Sequence, residues 1–370
     1  MDFIANRAEL LAAARKAAAI APVDSPVKEL EGVLLEAEHE TGSLVVSATN
    51  MELSLKQKLR CEAREDDAVV INARLLVQML EKLSGERVRL QRPVRKPVLC
   101  VVSELAGYAV PVRERAAFPN LTFPFPEDTV QVRGIPSLVR RTAFATCQDP
   151  AKPLLRCVNL MFTKNGLRTA GSDGNCVVTA RGDEKSVGSV NLLIPAGSLE
   201  KLARMSTDSD EFRVGTDGKT IVFSKEGFLF GARLMNGKYV DTDRLIAALK
   251  SPFMIYTEIE ALRRALASVT AVDPKGKVSL TFEGQKLRLA CIGANGNASV
   301  SLNVVLLKGS PCGRYYFQAE QLLTCLSTLE GIVKVGVAQG GMLILLTDDA
   351  FYMQNGVRAP AAERTDERVA

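Results

Sequence analysis

Apolar residues recur at amphipathic-helix spacing in six segments, and between them the chain alternates with the two-residue period of half-buried strands. The helical segments are Arg7–Ile20, Ala73–Leu83, Pro136–Thr146, Ala196–Met205, Ile259–Val269 and Ala319–Leu329. The second, fourth and sixth directly follow the β-rich runs AVVIN, VNLLIP and RYYFQ. In order the chain reads strand, helix, three strands, then strand, helix, three strands. That series occurs three times, at roughly 120 residues per pass. The pattern predicts an α+β fold of three tandem copies, residues 1–126, 127–250 and 251–370. In each copy two helices pack on antiparallel sheets, and 359–370 form a polar, patternless tail.

Turn chemistry supports the strand reading. Hairpins are expected at Thr41-Gly42, at Asn165-Gly166 and near Gly284. Linkers are expected at Arg113–Asp128, which holds three prolines, and at Ala247–Pro252.

The helix faces carry the charge. In the second helix Leu75, Leu76, Met79, Leu80 and Leu83 form the inward stripe and leave Arg74, Gln78 and Lys82 in one outward row. In the first, Leu10, Leu11, Ala14 and Ala18 point inward, and Ala8, Ala12, Lys16 and Ala19 point out. Arg140 and Arg141, Lys201 and Arg204, and Arg263 and Arg264 take the non-apolar sides of the next three. The sixth has no base. Any single such face reads more readily as a solvated one, but bases on five of six equivalent helices suggest a shared surface for a phosphate backbone.

Composition narrows the function classes. A hydrophobic content of 47% and a charged content of 24% fit a soluble globular protein. The net charge of +5 is too mild to attract a polyanion unless it is concentrated by placement. The eight cysteines form no CxxC pair and lie mostly in apolar contexts, so reduced thiols in a cytoplasmic protein are expected, with no metal and no cofactor. The opening MDFIANRAELL carries acids and no long apolar run follows, so neither an export signal nor a membrane span is expected.

Catalytic constellations are missing. The only histidine, His39, sits among glutamates beside a hairpin turn and cannot supply a Ser-His-Asp or multi-histidine site elsewhere. GTDGKT (215–220) lacks the first glycine of a phosphate-binding loop and falls between strands, so it reads as a turn. GSDGN (171–175) also reads as a turn, since Asp173 has no second carboxylate in register. A non-catalytic protein is expected.

With the repeat, the basic helices and the absent catalysis in hand, the chain resembles the bacterial DNA polymerase III β subunit, the sliding-clamp family. The resemblance rests on LEGVLLEAE with LVVSATNMELS, on AAFPNL, on SDGN, on IPAGSLEKLARM and on FGARLMNGKYVDTDRL, in that order and spacing. It implies three DNA-clamp domains per chain and a homodimeric ring around duplex DNA, bound without sequence preference. It also implies a clamp loader, and a polymerase among partners that dock by a short peptide. Arg74 matches a DNA-facing arginine of the family and Gln148 a DNA-touching loop position; Lys82, Arg141 and Arg204 join them from helix-face geometry. The family's peptide cleft corresponds here to Cys157, Ser172, Gly174, Asn175, Cys176, Val177, Val240, Arg244, Leu245, Tyr352 and Met353. Its dimer interface corresponds to Tyr108 and Val110 against Val269 and Thr270.

Some positions depart from the family. Asn175-Cys176-Val177 stands where a His-Arg-Leu run is usual, and Met353-Gln354-Asn355-Gly356-Val357 where Met-Pro-Met-Arg-Leu is usual. Pro111 lies in the strand expected at the interface and removes one N–H donor there. The alternative reading is a clamp-fold interaction scaffold or accessory clamp that does not encircle DNA.

Overall fold

A computed structural model describes residues 1–93, 96–125, 129–163, 166–182, 190–293 and 295–359. The predicted element series is present three times. The first pass is β1 (Asp2–Asn6), α1 (Arg7–Ile20), β2 (Gly32–Glu38), β3 (Ser43–Thr49), β4 (Leu53–Ala63), β5 (Asp67–Asn72), α2 (Ala73–Lys82), β6 (Arg87–Gln91), β7 (Val98–Val102) and β8 (Gly107–Pro111), followed by a two-residue β9 (Arg113–Glu114). The second is β10 (Val130–Val132), α3 (Ile135–Thr142), β11 (Cys157–Thr163), β12 (Gly166–Ser172), β13 (Cys176–Arg181), β14 (Val190–Pro195), α4 (Ala196–Arg204), β15 (Phe212–Thr216), β16 (Thr220–Lys225) and β17 (Phe228–Arg233). A helix that the periodicity did not predict, α5 (Thr242–Ala248), takes up the start of the expected Ala247–Pro252 linker. The third pass is β18 (Met254–Glu258), α6 (Ile259–Thr270), β19 (Lys277–Glu283), β20 (Lys286–Gly293), β21 (Gly296–Asn303) with its continuation β22 (Val305–Lys308), β23 (Cys312–Gln318), α7 (Ala319–Ser327), β24 (Ile332–Ala338), β25 (Met342–Leu346) and β26 (Ala350–Gln354).

By internal contacts the chain divides into two compact units, Met1–Arg133 with Arg204–Leu234, and Gly134–Ala203 with Met235–Ala370. The middle third is shared between them because its strands extend two sheets. In the first unit β17 pairs antiparallel with β4, from Phe228 opposite Gln57 to Ala232 opposite Leu53. In the second unit β26 pairs antiparallel with β13, from Gln354 opposite Cys176 to Ala350 opposite Ala180. Both seams thus join the last strand of one repeat to the fourth strand of the repeat before it. Within the first unit β8 ends the path β10-β15-β16-β17-β4-β1-β6-β7-β8; within the second, β21 ends the sheet β21-β20-β19-β23 and β22 ends a nine-stranded sheet.

Local chemistry accounts for the elements. Asn6 caps α1 by accepting from the Ala8 and Glu9 amides, and Asn72 caps α2 by accepting from Leu75. Ala13, Ala14 and Ala17 are buried with Leu10 and Ile20, so small side chains let α1 approach its neighbours closely. Leu11, Ala18 and Leu75 are only partly buried. The α3 helix stops at Thr142 and passes into a 3-10 turn, Ala143–Ala145, short of the predicted end at Thr146. Asn165 and the tail from Pro360 lie outside the described residues.

One turn is used three times. The Thr49 hydroxyl donates to the Leu53 carbonyl while Asn50 Oδ1 accepts from Glu52 and Leu53. Ser172 donates to Cys176 while Asp173 Oδ1 accepts from Asn175 and Cys176, and Thr216 with Asp217 does the same for Thr220 and Lys219. The third residue is left-handed each time: Gly174 at φ 96°, Gly218 at φ 82° and, without glycine's freedom, Met51 at φ 74°. Both tempting motifs, GSDGN and GTDGKT, are therefore turns.

The interface assignment of Val269 and Thr270 needs correction. Val269 is 0% exposed in the core beneath α6, and the Thr270 hydroxyl donates to the Leu266 carbonyl of its own helix. A side chain already enclosed by its own fold has no apolar area left to bury on a partner. Tyr108 is half-buried and Val110 is 9% exposed, both on the edge strand β8, which closes with Pro111 opposite Val98.

Candidate nucleic-acid and peptide-binding surfaces

In the first unit α2 presents Arg74, Gln78 and Lys82, all exposed, as the outward row that the helical period requires. Arg15 of α1 is also exposed and bonds Glu81 of α2 at 2.8 Å, so part of the positive charge is locally neutralised. Lys16 does not face outward with Ala8, Ala12 and Ala19. It is half-buried, bonded to Gln57, with its ammonium 5.3 Å from the Phe228 ring centroid. Burial, then the nearby Lys225, lowers its pKa. Arg204, at the end of α4, is exposed.

In the second unit Arg141 is the departure from prediction. Its guanidinium is partly buried and pairs with Asp349, in the hairpin before β26, so it is held against the protein. Its neighbour Arg140 is exposed, as are Gln148 and Lys152 in the loop after α3. Arg263 and Arg264 are exposed on α6, and both reach Glu260. Gln148, Lys152, Asn175, Glu320 and Gln321 line a common cavity of about 430 Å³. There Gln321 donates to Asp173 Oδ2 at 2.7 Å. A DNA-loop candidate and a cleft candidate therefore meet in one polar hollow.

The positions carried over for the peptide cleft separate by strand alternation. Val177 and Met353, opposite each other across the β13–β26 seam, point to one face and pack with Ile344, Phe351 and Leu245, Ile246 and Leu249 around α5. Cys176 and Tyr352 point to the other face and belong to the core beneath α6 and α7. They are 0% and 1% exposed, so they cannot touch a peptide on the first face. Burial pushes the Cys176 thiol up to about 12 and the Cys157 thiol up to about 11, which makes both unreactive. Cys157 is buried: its thiol donates to the Pro153 carbonyl, and its own carbonyl accepts from the Tyr239 hydroxyl at 3.2 Å. Ser172 is buried in the turn it bonds.

What remains open is a rim. Gly174, Asn175, Val240 and Arg244 are exposed there and Leu245 is partly buried, while Val177 and Met353 are covered. Helix α5 holds Leu245 in place through its Asp241 cap and an Arg168–Asp243 ion pair of 2.7 Å. The sequence reading missed Leu155 and Tyr239. Leu155 Cδ1 lies 4.0 Å from the point where a Gly174 Cβ would stand. The apolar pair Leu154-Leu155 in an otherwise polar loop was the available signal. His39 is exposed, with Nδ1 2.6 Å from the Ala63 carbonyl, a contact that stabilises the turn. All eight cysteines are free thiols. Among the described residues no His, Cys, Asp and Glu side chains gather as a metal site, and no helix is long and apolar enough to cross a membrane.

Comparison with known proteins places this arrangement. The signature of the DNA polymerase III beta subunit, N-terminal domain, matches residues 1–122, and that of its central domain matches residues 129–241. The beta sliding clamp of Streptomyces coelicolor is 27% identical over 249 residues, covering 64% of each chain. That of Chlamydia pneumoniae is 22% identical over 258 residues, 67% of this chain and 68% of the relative. The match thus spans about two thirds of the relatives' own length. Among solved structures, a putative DNA polymerase III beta subunit from Eubacterium rectale superposes with a TM-score of 0.89 at 15% identity, and the Bacillus subtilis sliding clamp with 0.88 at 18%. Each covers 97% of this chain and 100% of its own. Two consecutive signatures of one subunit, together matching well over half of the chain, and a fold shared along nearly all of it establish that this chain belongs to the DNA polymerase III beta subunit family.

Proposed function

We propose that the chain is a DNA sliding clamp: a non-catalytic, cytoplasmic ring of two copies that encircles duplex DNA and tethers a polymerase and other peptide-bearing partners. The sequence thirds 1–126, 127–250 and 251–370 are its three clamp domains. One observation carries the reading. The fourth strand of repeat one is paired by the last strand of repeat two, and the fourth strand of repeat two by the last strand of repeat three. Among the described residues only β8, the last strand of repeat one, and β21, in the fourth strand of repeat three, keep that edge unpaired. A second copy related by a twofold axis satisfies both edges at once, with β8 of each chain on β21 of the other, and the assembly closes.

Closure by topology removes the need for tight DNA contacts, which suits the sparse, exposed bases described above. Arg74, Lys82, Arg204 and Gln148 are the DNA-facing candidates, and Arg140 replaces Arg141. Opening such a ring calls for a separate loader. Partner peptides engage the rim of Leu155, Gly174, Asn175, Val240, Arg244 and Leu245.

Light scattering tests closure. The particle should have about twice the mass of the 40.0 kDa chain, and Tyr108→Asp should shift it to monomer. Once loaded, the protein should stay on nicked circular duplex and leave when the circle is cut. A wild type that is monomeric at micromolar concentration would sink the reading.

A further inference from the structure

The first unit holds a cavity of about 320 Å³ at the β4–β17 seam, on no surface considered so far. Its walls are the turn Thr49–Glu52, Ser54, the segment Pro119–Thr122, Lys219 with Thr220, and Gly231 with Arg233. The setting repeats the β13–β26 seam: the same hydroxyl-and-Asx turn precedes the fourth strand, and Ser54 faces Gly231 as Val177 faces Met353. The lining is the opposite in kind. Hydroxyls and two exposed cations replace the aliphatic cluster. Among the described residues neither Lys219 nor Arg233 is in a direct ion pair, although Lys219 lies near enough to Asp217 to help lower that carboxyl's pKa.

The linker strengthens the case. Phe118 is buried, Phe123 lies over Gly231, and the Lys56 ammonium sits 5.8 Å from the Phe123 ring centroid, so the segment is fixed at both ends. Between those anchors the main-chain N–H and C=O groups of Asn120, Leu121 and Thr122 have no partner among the described residues. Free peptide groups along a fixed wall, beside two exposed cations, form a template for another extended chain. Glu52 at the rim opposes a ligand with dense negative charge such as nucleic acid, but not one carrying a single carboxylate.

We propose that this cavity is a second docking site, for an extended partner peptide with one acidic side chain. Lys219 and Arg233 take the carboxylate and residues 120–122 pair with the peptide backbone. The proposal does not depend on peptide binding at the other seam.

Calorimetry on the full-length protein tests it with an acetylated, amidated pentapeptide Gly-Leu-Glu-Val-Gly, the same peptide with Gln for Glu, and inorganic phosphate. The Glu peptide should bind with a Kd below about 1 mM and shift the amide resonances of Thr122 and Gly231. The Gln peptide should bind at least about tenfold more weakly, as should the exposed-site variant Arg233→Gln. Leu245→Asp should leave the affinity unchanged. The proposal is overturned if no binding is seen up to millimolar peptide, if the Gln peptide binds as well, or if phosphate competes at equal concentration, which would mark a plain anion patch. Loss of binding in Leu245→Asp would equally overturn it, by placing the peptide on the other seam.

Discussion

The two seams share one backbone plan and differ in what covers it. At β13–β26 the facing pair is Val177 and Met353, and helix α5 lies over it with Leu245, Ile246 and Leu249. At β4–β17 the facing pair is Ser54 and Gly231, and an irregular linker lies over it with Phe123. A Cβ at Gly231 would stand 3.3 Å from the Phe123 ring, so the missing side chain makes room for the linker's aromatic. Hydrogen-bond register fixes where two repeats join. The residues at one facing pair decide whether the joint is sealed with hydrocarbon or left polar.

The largest expected effect comes from giving the apolar seam the polar seam's residue. Met353→Gly removes a side chain that is 4% exposed and leaves a void under α5. A loss of roughly 3–5 kcal/mol in urea unfolding is expected, by analogy with large-to-small core changes. A loss below about 1 kcal/mol would mean that α5 and Leu245 collapse into the gap, and that the seam is not sealed by Met353.

The turns differ by less. Met51 holds a left-handed conformation that its counterparts Gly174 and Gly218 adopt freely. Met51→Gly should raise stability by up to about 1 kcal/mol, and Gly174→Met should lower it by about 1–2 kcal/mol. Thermal melts of the two variants should move in opposite directions. If both fall, the Met51 side chain, 65% exposed, has a packing role at the cavity that outweighs its strain.

The smallest effect lies at the hairpin tip of the apolar seam. Burial alone would raise the Asp349 carboxyl, but hydrogen bonds from Arg141 and Thr347 hold it below the usual aspartate value. A carboxyl depressed in the folded state stabilises the protein above its unfolded pKa, and that stabilisation is lost as pH falls through the lower folded value. Asp349→Asn should therefore cost under about 1 kcal/mol at neutral pH, since the pair is partly exposed. The gap between variant and wild type should close below the ordinary aspartate value of 3.8. The same substitution frees Arg141 and should slightly strengthen salt-sensitive binding to duplex DNA. No change in that binding would place Arg141 away from the DNA path.

Much of the fold was legible because periodicity reports which faces are buried. The row Arg74, Gln78, Lys82 and all six repeat helices follow from spacing alone. Helix α5 escaped because it is short, and because its sequence TDRLIAA follows a glycine-bearing loop and reads as linker. The cleft was legible only by resemblance, which carries positions over one by one and ignores alternation. Resemblance therefore puts adjacent residues such as Cys176 and Val177 on one wall, although a strand sends them to opposite faces. Val269 and Thr270 rest on the same position-by-position carry-over, although Val269 lies in the core and the Thr270 hydroxyl bonds within its own helix.

Pro111 bears on how a closed assembly yields under load. Seams arranged around a ring act as links in series, and tension is relieved at the weakest of them. The β4–β17 and β13–β26 links are backed by the covalent chain and by buried side chains such as Leu55, Phe230, Val178 and Tyr352. The proposed β8–β21 link has no covalent backing; β8 begins at Gly107 and ends at Pro111, and β21 begins at Gly296. If the ring closes as proposed, that join would act as a fuse: it would part first, and it could part and re-form while both folded units stay intact.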